Sequence, residues 1–573
     1  MDQISKINTL IRLIFALLLF SGCSGGDSGS SGSSSTPPVP YCTEVTSYSS
    51  PITITGNAQY EYRANGNGAI SGPNPIRFAE VRVTNAAGTI IQCGETNSSG
   101  QFSLSLPADG SAATIEVTSR ADNSNVAAYV LQNPTTNTYH SLSTGVTLDG
   151  SKSVGSLTAP ANGTLEGGAF NILDKILDAN IFLRAQTANC SASFSNCTPF
   201  TIAPLVTAYW AAGVDPGTYF NIPSLSFYIP GENDLYILGG VNGDIDNSDT
   251  DHFDDTIIIH EYGHFIEDNF SITNSPGGAH SGNTILDPRL AWGEGWANYF
   301  QAAVTGNSVY RDTFGTIEGT TGVFFNEDLE SGTTDTATTL GEGNFREFSI
   351  TRALLDYTDT NNEGVSTDQL TTSFAEFWTL FAGSNGFPNS GFNFRSIGLF
   401  YTLQNALSGK SDWSEIQGAE NQLATVVDYG NTFTLGGSCS TISIQAQNIS
   451  GIQTEDGTPS NSNQFASNDF YSYTHPGGSF TMSLSYTTGS SASPADLDIY
   501  LYQNDYTFGS SSSVLGFSDD TIQVGETSDT ETFTISDLAA GTYMINVNVN
   551  TSTRLGAPST YSFSINSQNA CPD

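Results

Sequence analysis

The spacing of apolar residues changes twice along the 573 residues, and this double change restricts the folds open to the chain. Toward both ends, short runs alternate with a period of two between turn residues, as half-buried strands require, whereas the middle recurs at helical spacing. Val81 and Val83, the turn Asn85 to Gly88, and then Phe102, Leu104 and Leu106 before Pro107 mark a small antiparallel sandwich over 41–160. Alternation returns after Cys439 in Leu497, Ile499 and Leu501 and in Tyr543, Ile545, Val547 and Val549, a second sandwich over 437–573. Between them, helical patches at Phe170 to Leu183, Ile257 to Asp268, Leu290 to Val304 and Phe348 to Tyr357 mix with strands over 161–436. The expected fold class is multidomain, an α+β domain flanked by two all-β sandwich domains.

The first forty residues read differently. Lys6 and Arg12 precede the apolar run Leu13 to Phe20, shorter than the ~20 residues that span a bilayer, so 1–22 is an export signal. Ser21 and Gly22 then precede Cys23, an arrangement that resembles a bacterial lipoprotein box, with Phe20 where leucine is usual. The resemblance implies cleavage before Cys23, a lipid on that cysteine, and anchoring to the bacterial outer membrane or cell surface. An ordinary secretory signal with a chance cysteine is the alternative. Residues 23–40 are almost all Gly, Ser, Thr and Pro, too polar to offset their ordering entropy, and form a flexible tether.

Charge narrows the partners. With 57 Asp and Glu against 16 Lys and Arg, the formal net charge of -41 repels phosphate backbones, so nucleic acid is excluded as a partner. The chain is read as a monomer. Besides Cys23 it has Cys42, Cys93, Cys190, Cys197, Cys439 and Cys571, an even number suited to disulfides in an exported protein. The preferred pairing is Cys42 with Cys93, Cys190 with Cys197 and Cys439 with Cys571, each within one proposed domain; buried free thiols are the alternative.

The chemistry is concentrated in His260-Glu261-Tyr262-Gly263-His264. Imidazoles four residues apart share one face of a helix and can grip one ion, and Glu261 beside them can reach a metal-bound water as general base. Zinc suits that task because it acidifies bound water and polarises a carbonyl. The six histidines make a chance match rare, about 0.006 expected in this composition. The run Thr256 to Ile259 supplies the buried face, and Asp254 or Asp255 could cap the start. A third ligand is needed, and Glu294 in Trp292-Gly-Glu-Gly-Trp-Ala-Asn-Tyr-Phe is the best candidate, with Gly293 and Gly295 permitting close approach to the first helix.

Together these segments resemble the gluzincins, specifically the thermolysin and fungalysin-like zinc metallopeptidases, over Asp254 to Phe300. The resemblance implies a zincin-type α+β domain, zinc on His260, His264 and Glu294, and Glu261 as the base. Asn298 stands where many relatives carry an aspartate that orients a ligating imidazole; its carbonyl can accept the same bond. His280, Arg352 and Tyr357 are the available oxyanion donors, and relatives' use of a downstream Tyr or His points to Tyr357 or His280. Ala79 to Leu106 resembles transthyretin-like accessory domains. Asp496-Leu-Asp-Ile-Tyr-Leu-Tyr with Ala540-Gly-Thr-Tyr-Met-Ile-Asn-Val resembles the pre-peptidase C-terminal-like domain of secreted bacterial peptidases, which implies an accessory module often removed on maturation. The loop Asp244 to Asp251 concentrates carboxylates that could hold Ca2+, although Asp249 occupies the position of the EF-hand glycine.

The expected function is zinc-dependent hydrolysis of extracellular polypeptides. Endopeptidase action is favoured because Leu235-Tyr-Ile-Leu-Gly-Gly lacks the acidic motif by which aminopeptidase relatives hold a free N-terminus. The rival is a surface adhesin or binding protein with a catalytically silent structural zinc.

Overall fold

The computed structural model describes residues 39–275, 280, 286, 288–315, 323–330, 343–344, 346–358, 372–389, 394–408, 413–420, 422, 433–444, 468–492, 494–503, 514–550 and 559–572. The export signal, Cys23 and the tether up to residue 38 lie outside them. Among the described residues no helix is long and apolar enough to cross a membrane.

The N-terminal strands are β1 (Ile52–Arg63), β2 (Ile70–Pro75), β3 (Glu80–Asn85), β4 (Ile90–Glu95), β5 (Gln101–Leu106), β6 (Ala112–Thr118), β7 (Arg120–Asp122), β8 (Ala127–Leu131), β9 (Ser141–Thr147) and β10 (Lys152–Ala159). One sheet has β1 between β10 and β2, with β5 also on β1; the other runs β4-β3-β6-β9. Ile54, Val81, Val83, Leu104, Ile115 and Val117 are buried, as the alternation requires. The sandwich is not purely antiparallel, because β1 and β10 pair in parallel.

Two strands of this segment leave it. β7 and β8 join β11 (Val206–Tyr209), β12 (Phe227–Ile229) and β13 (Asp234–Tyr236) in a mixed sheet of order β12-β13-β11-β8-β7. Ala128, Tyr129, Val130 and Leu131 are all buried, so β8 lacks a solvent face and fits a sheet interior rather than a sandwich surface. One hydrophobic core therefore runs from the sandwich into the helical body.

That body contains α1 (Glu166–Thr187), α2 (Asp255–Phe270), α3 (Pro288–Thr305), α4 (Glu347–Thr358), α5 (Phe374–Ala382) and α6 (Ile397–Ser408), with the hairpin β14 (Val309–Thr313) and β15 (Val323–Asp328). α2 packs on α3, and α3 on α4. Trp296 anchors α3, its ring 4.1 Å from that of Phe381 and 5.3 Å from that of Phe377.

The C-terminal strands form two further sheets around a separate core that includes Leu497, Ile499, Leu501, Ile545 and Val547. Phe470, Tyr502 and Met544 of this unit cluster with Phe394, which also stacks under the Arg289 guanidinium at 4.2 Å. The disulfides are Cys42–Cys93, Cys190–Cys197 and Cys439–Cys571.

Candidate metal centre and active site

Asp254 occupies the N-cap of α2 without capping it through its side chain. Its carboxylate instead accepts from the Thr313 amide at 2.8 Å and the Thr313 hydroxyl at 3.0 Å, tying the helix start to β14. Ile257, Ile258 and Ile259 continue as helix despite their β-branching, because all three are buried and tertiary packing outweighs a small intrinsic penalty.

One helical turn separates His260 from His264, and their Nε2 atoms lie 3.2 Å apart. Glu294 Oε2 reaches them from α3, 3.2 Å from His260 Nε2 and 3.4 Å from His264 Nε2. All three side chains are buried. The approach of the helices depends on Gly263, where a Cβ would stand 3.2 Å from Ala297 Cα. Gly295, expected to face the first helix, faces α4 instead: a Cβ there would meet Ile350 Cβ at 2.7 Å and the Glu347 carbonyl oxygen at 2.8 Å.

Asn298 Oδ1 is 3.0 Å from His260 Nδ1 and can only accept, so Nδ1 carries the proton and Nε2 of the neutral ring presents its lone pair. That lone pair faces a carboxylate oxygen and a second imidazole nitrogen. A single proton satisfies one such contact, whereas a cation satisfies all of them. Tetrahedral zinc at 2.0–2.1 Å from its ligands places donor atoms about 3.3 Å apart, close to the observed 3.2, 3.2 and 3.4 Å. The donor set therefore fits zinc.

His280, from the connection between α2 and α3, comes within 3.4 Å of Glu294 Oε1 through Nε2, and its Nδ1 is 2.7 Å from Glu347 Oε2. Burial alone would lower its pKa, but Glu294 and Glu347 outweigh burial and push it up to about 9. Burial would raise Glu294, but His280 and His264 outweigh burial and hold it well below the usual carboxylate range. Burial pushes Glu261 up to about 8, with His260 opposing and Glu294 adding. A divalent cation among these groups favours the carboxylate form that a general base needs.

The other expected oxyanion donors lie elsewhere. Arg352 forms a bidentate pair with Glu420, 2.8 Å at each contact. Tyr357 is buried against Phe400, ring centroids 5.2 Å apart, and among its described contacts none is with His260, Glu261, His264 or Glu294. Residues Phe348 to Tyr357 are helical as expected, but that helix directs its first residue, Glu347, toward the site and its last turn toward α6.

The acidic loop also divides. Asp244 is exposed and turns its Oδ1 onto the amides of Asp246 and Asn247, at 3.0 and 2.9 Å. Asp249 and Asp251 turn inward and meet Asp312 of β14, with one ligand atom from each lying within 4.8 Å of the others. Oδ1 of each of the three is buried without a hydrogen-bond partner. Glu347 and Asp312 are the residues that sequence reasoning missed. Each lies far along the chain from its partners, and no local spacing marks it.

The model of the Mycolysin C-terminal domain matches residues 186–393. This span includes α2 and α3 with His260, Glu261, His264 and Glu294, and relates the middle of the chain to peptidases. No curated protein matches the chain. Among solved structures, "Xyl-CBM35 in complex with glucuronic acid containing disaccharide" matches at 19% identity, covering 25% of this chain and 96% of that one, TM-score 0.15. CBM35 from Cellvibrio japonicus Abf62 matches at 16% identity over 24% of this chain and 98% of that one, TM-score 0.14.

Proposed function

We propose that the protein is a zinc metallopeptidase that hydrolyses extracellular polypeptides as an endopeptidase. The observation that carries this reading is the convergence of three lone-pair atoms from His260, His264 and Glu294, with Asn298 fixing the tautomer of His260. Zinc held there would polarise the scissile carbonyl and acidify a water. Glu261 takes the proton from the attacking water and returns it to the leaving amine. His280 donates a hydrogen bond to the developing oxyanion. β12 lies at the edge of its sheet, and the backbone of its Tyr228 hydrogen-bonds Glu261, which suits an extended polypeptide laid along that edge.

The test is zinc analysis of the purified protein together with cleavage of an unfolded protein by wild type and Glu261→Gln. One zinc per chain with an activity loss of about 10² to 10⁴-fold in the variant is expected. Zinc binding without Glu261-dependent cleavage would favour the surface adhesin instead.

Two further parts of the reading rest on other residues. The segment 1–40 supports export and a lipid anchor at Cys23, tested by mass spectrometry of the N-terminal peptide. The inward group Asp249, Asp251 and Asp312 supports a hard oxygen-bound cation, Ca2+, in place of the whole loop 244–251.

A further inference from the structure

A two-layer sandwich ordinarily buries one face of each sheet and leaves the other to water. In the C-terminal unit one sheet obeys this: its outward residues Ser485, Thr487, Thr530, Thr532, Thr560 and Ser562 are exposed. The other sheet, in which the strands Asn468–His475, Gly541–Asn550 and Asp496–Tyr502 lie side by side, does not. Tyr471, Leu501 and Ile545 point into the unit's own core, so Phe470, Tyr502 and Met544, each one position away, point outward. These outward residues are nonetheless at most 6% exposed.

What covers them is the peptidase body of the same chain. The Phe394 ring meets that of Phe470 edge to face, centroids 4.8 Å apart, and the Arg289 guanidinium lies over Phe394 at 4.2 Å. Arg289 also reaches Tyr502: burial pushes that phenol up to about 12, and the guanidinium charge opposes the rise. Two lines of contact lead from this cluster to the metal centre. Arg289 sits in the first turn of α3, the helix that carries Glu294. Arg395, next to Phe394, donates its backbone N–H to Asn274 Oδ1 at 3.0 Å, and Asn274 belongs to the connection between α2 and α3 that also carries His280. Removal of the unit, which its resemblance to pre-peptidase domains implies, would leave Phe394 and the stem of Arg289 in water.

Resting on the peptidase reading, we propose that the face formed by Phe470, Tyr502 and Met544 is a docking surface whose partner is the peptidase body, and that this contact holds the start of α3 and the α2–α3 connection where catalysis requires them. Phe394 and Arg289 are positioning residues that act through Glu294 and His280. The C-terminal unit is then a working part of the enzyme rather than a module to be shed. The competing account is a unit that packs on this spot and leaves the site as it is.

The experiment uses the full-length protein as wild type, Met544→Arg, Phe394→Ala and Thr532→Arg, the last placing the same charge on the solvated face of the other sheet. Small-angle scattering reports docking, and hydrogen exchange reports the amides of α3. In Met544→Arg the radius of gyration rises while calorimetry still shows a folded C-terminal unit, and the α3 amides exchange about 3 to 30-fold faster. With zinc saturating, kcat on a peptide substrate falls by a similar factor and KM stays within about twofold of wild type. Thr532→Arg matches wild type throughout. The proposal is overturned if the unit stays docked in Met544→Arg, or if it undocks and either α3 exchange or kcat keeps its wild-type value. If Met544→Arg does not fold, the exchange and kcat of Phe394→Ala decide by the same criteria. Lack of cleavage by the wild type would count against the peptidase reading alone, because α3 exchange reports the coupling without turnover.

Discussion

Two buried clusters of ionisable groups flank α2, and they differ in sign. Around His260 and His264, the carboxylates of Glu261, Glu294 and Glu347 are interleaved with three imidazoles, so every charge has an opposite or a hydrogen-bonding neighbour. At the helix start, Asp249, Asp251, Asp254 and Asp312 stand together, and among the described residues no ion pair involves any of them. Asp251 is relieved by Ser226 and Asp254 by Thr313, but Oδ1 of Asp249, Asp251 and Asp312 remains unpaired. In the first cluster the imidazoles hold Glu294 ionised, whereas Glu261 and the aspartates of the second cluster need protons or a cation. Tyr310 links them, its ring 5.8 Å from that of His260 and its hydroxyl raised by burial and then by Asp312 and Glu261.

The largest expected effect breaks the mixed cluster. His264→Ala should lose its zinc, measured by atomic absorption, and at least about 10³-fold in cleavage rate, because both the Lewis acid and the acidified water go with the metal. A variant that keeps both would remove the basis of the comparison.

The acidic cluster should respond to calcium. At about a hundredfold excess over Kd, Ca2+ should raise Tm by a few degrees in the wild type and by nothing in Asp251→Asn, read by calorimetry of the zinc-loaded protein. Equal shifts in both proteins would place the calcium elsewhere.

Asn298→Ala sharpens the contrast within the mixed cluster. Loss of the acceptor on His260 Nδ1 frees the tautomer and should weaken zinc about 10 to 100-fold in a competition titration with a chelator. Asn298→Asp should bind at least as tightly as wild type.

The smallest effect is in pH. Without calcium, burial first and mutual repulsion second raise Asp249, Asp251 and Asp312 well above the ordinary carboxylate value. The folded state then binds more protons than the unfolded chain, so stability should fall as pH rises from about 4 through the raised folded values. Urea denaturation at several pH values should show this slope in the calcium-free protein and a flatter one in Asp312→Asn. Calcium, which selects the ionised form, should flatten it in the wild type as well.

The candidate metal ligands were legible because they obey local rules. Two imidazoles four apart meet on one helical face whatever surrounds them, and the spacing of Trp296, Tyr299 and Phe300 marks the helix that carries Glu294. Asn298 was readable for the same reason, one turn beyond Glu294. The candidate oxyanion donor was not: the resemblance favoured Tyr357 and His280 alike over Arg352, and packing brought His280 to Glu294 while burying Tyr357 against Phe400 and pairing Arg352 with Glu420.

Tertiary structure also revised the outer parts. β7 and β8 lie within the segment read as one sandwich but are built into the central sheet, because strand alternation gives a face and not a partner. Gly295 was legible as a close approach, yet which helix approaches was decided by α4. The sequence by itself determined the ligand helices, the tautomer-setting amide and the strand character of both flanks, all functions of periodicities shorter than two turns. Only the tertiary structure brought Glu347 to His280 and Asp312 to Asp251, since these contacts span 67 and 61 positions and depend on how a shared core packs.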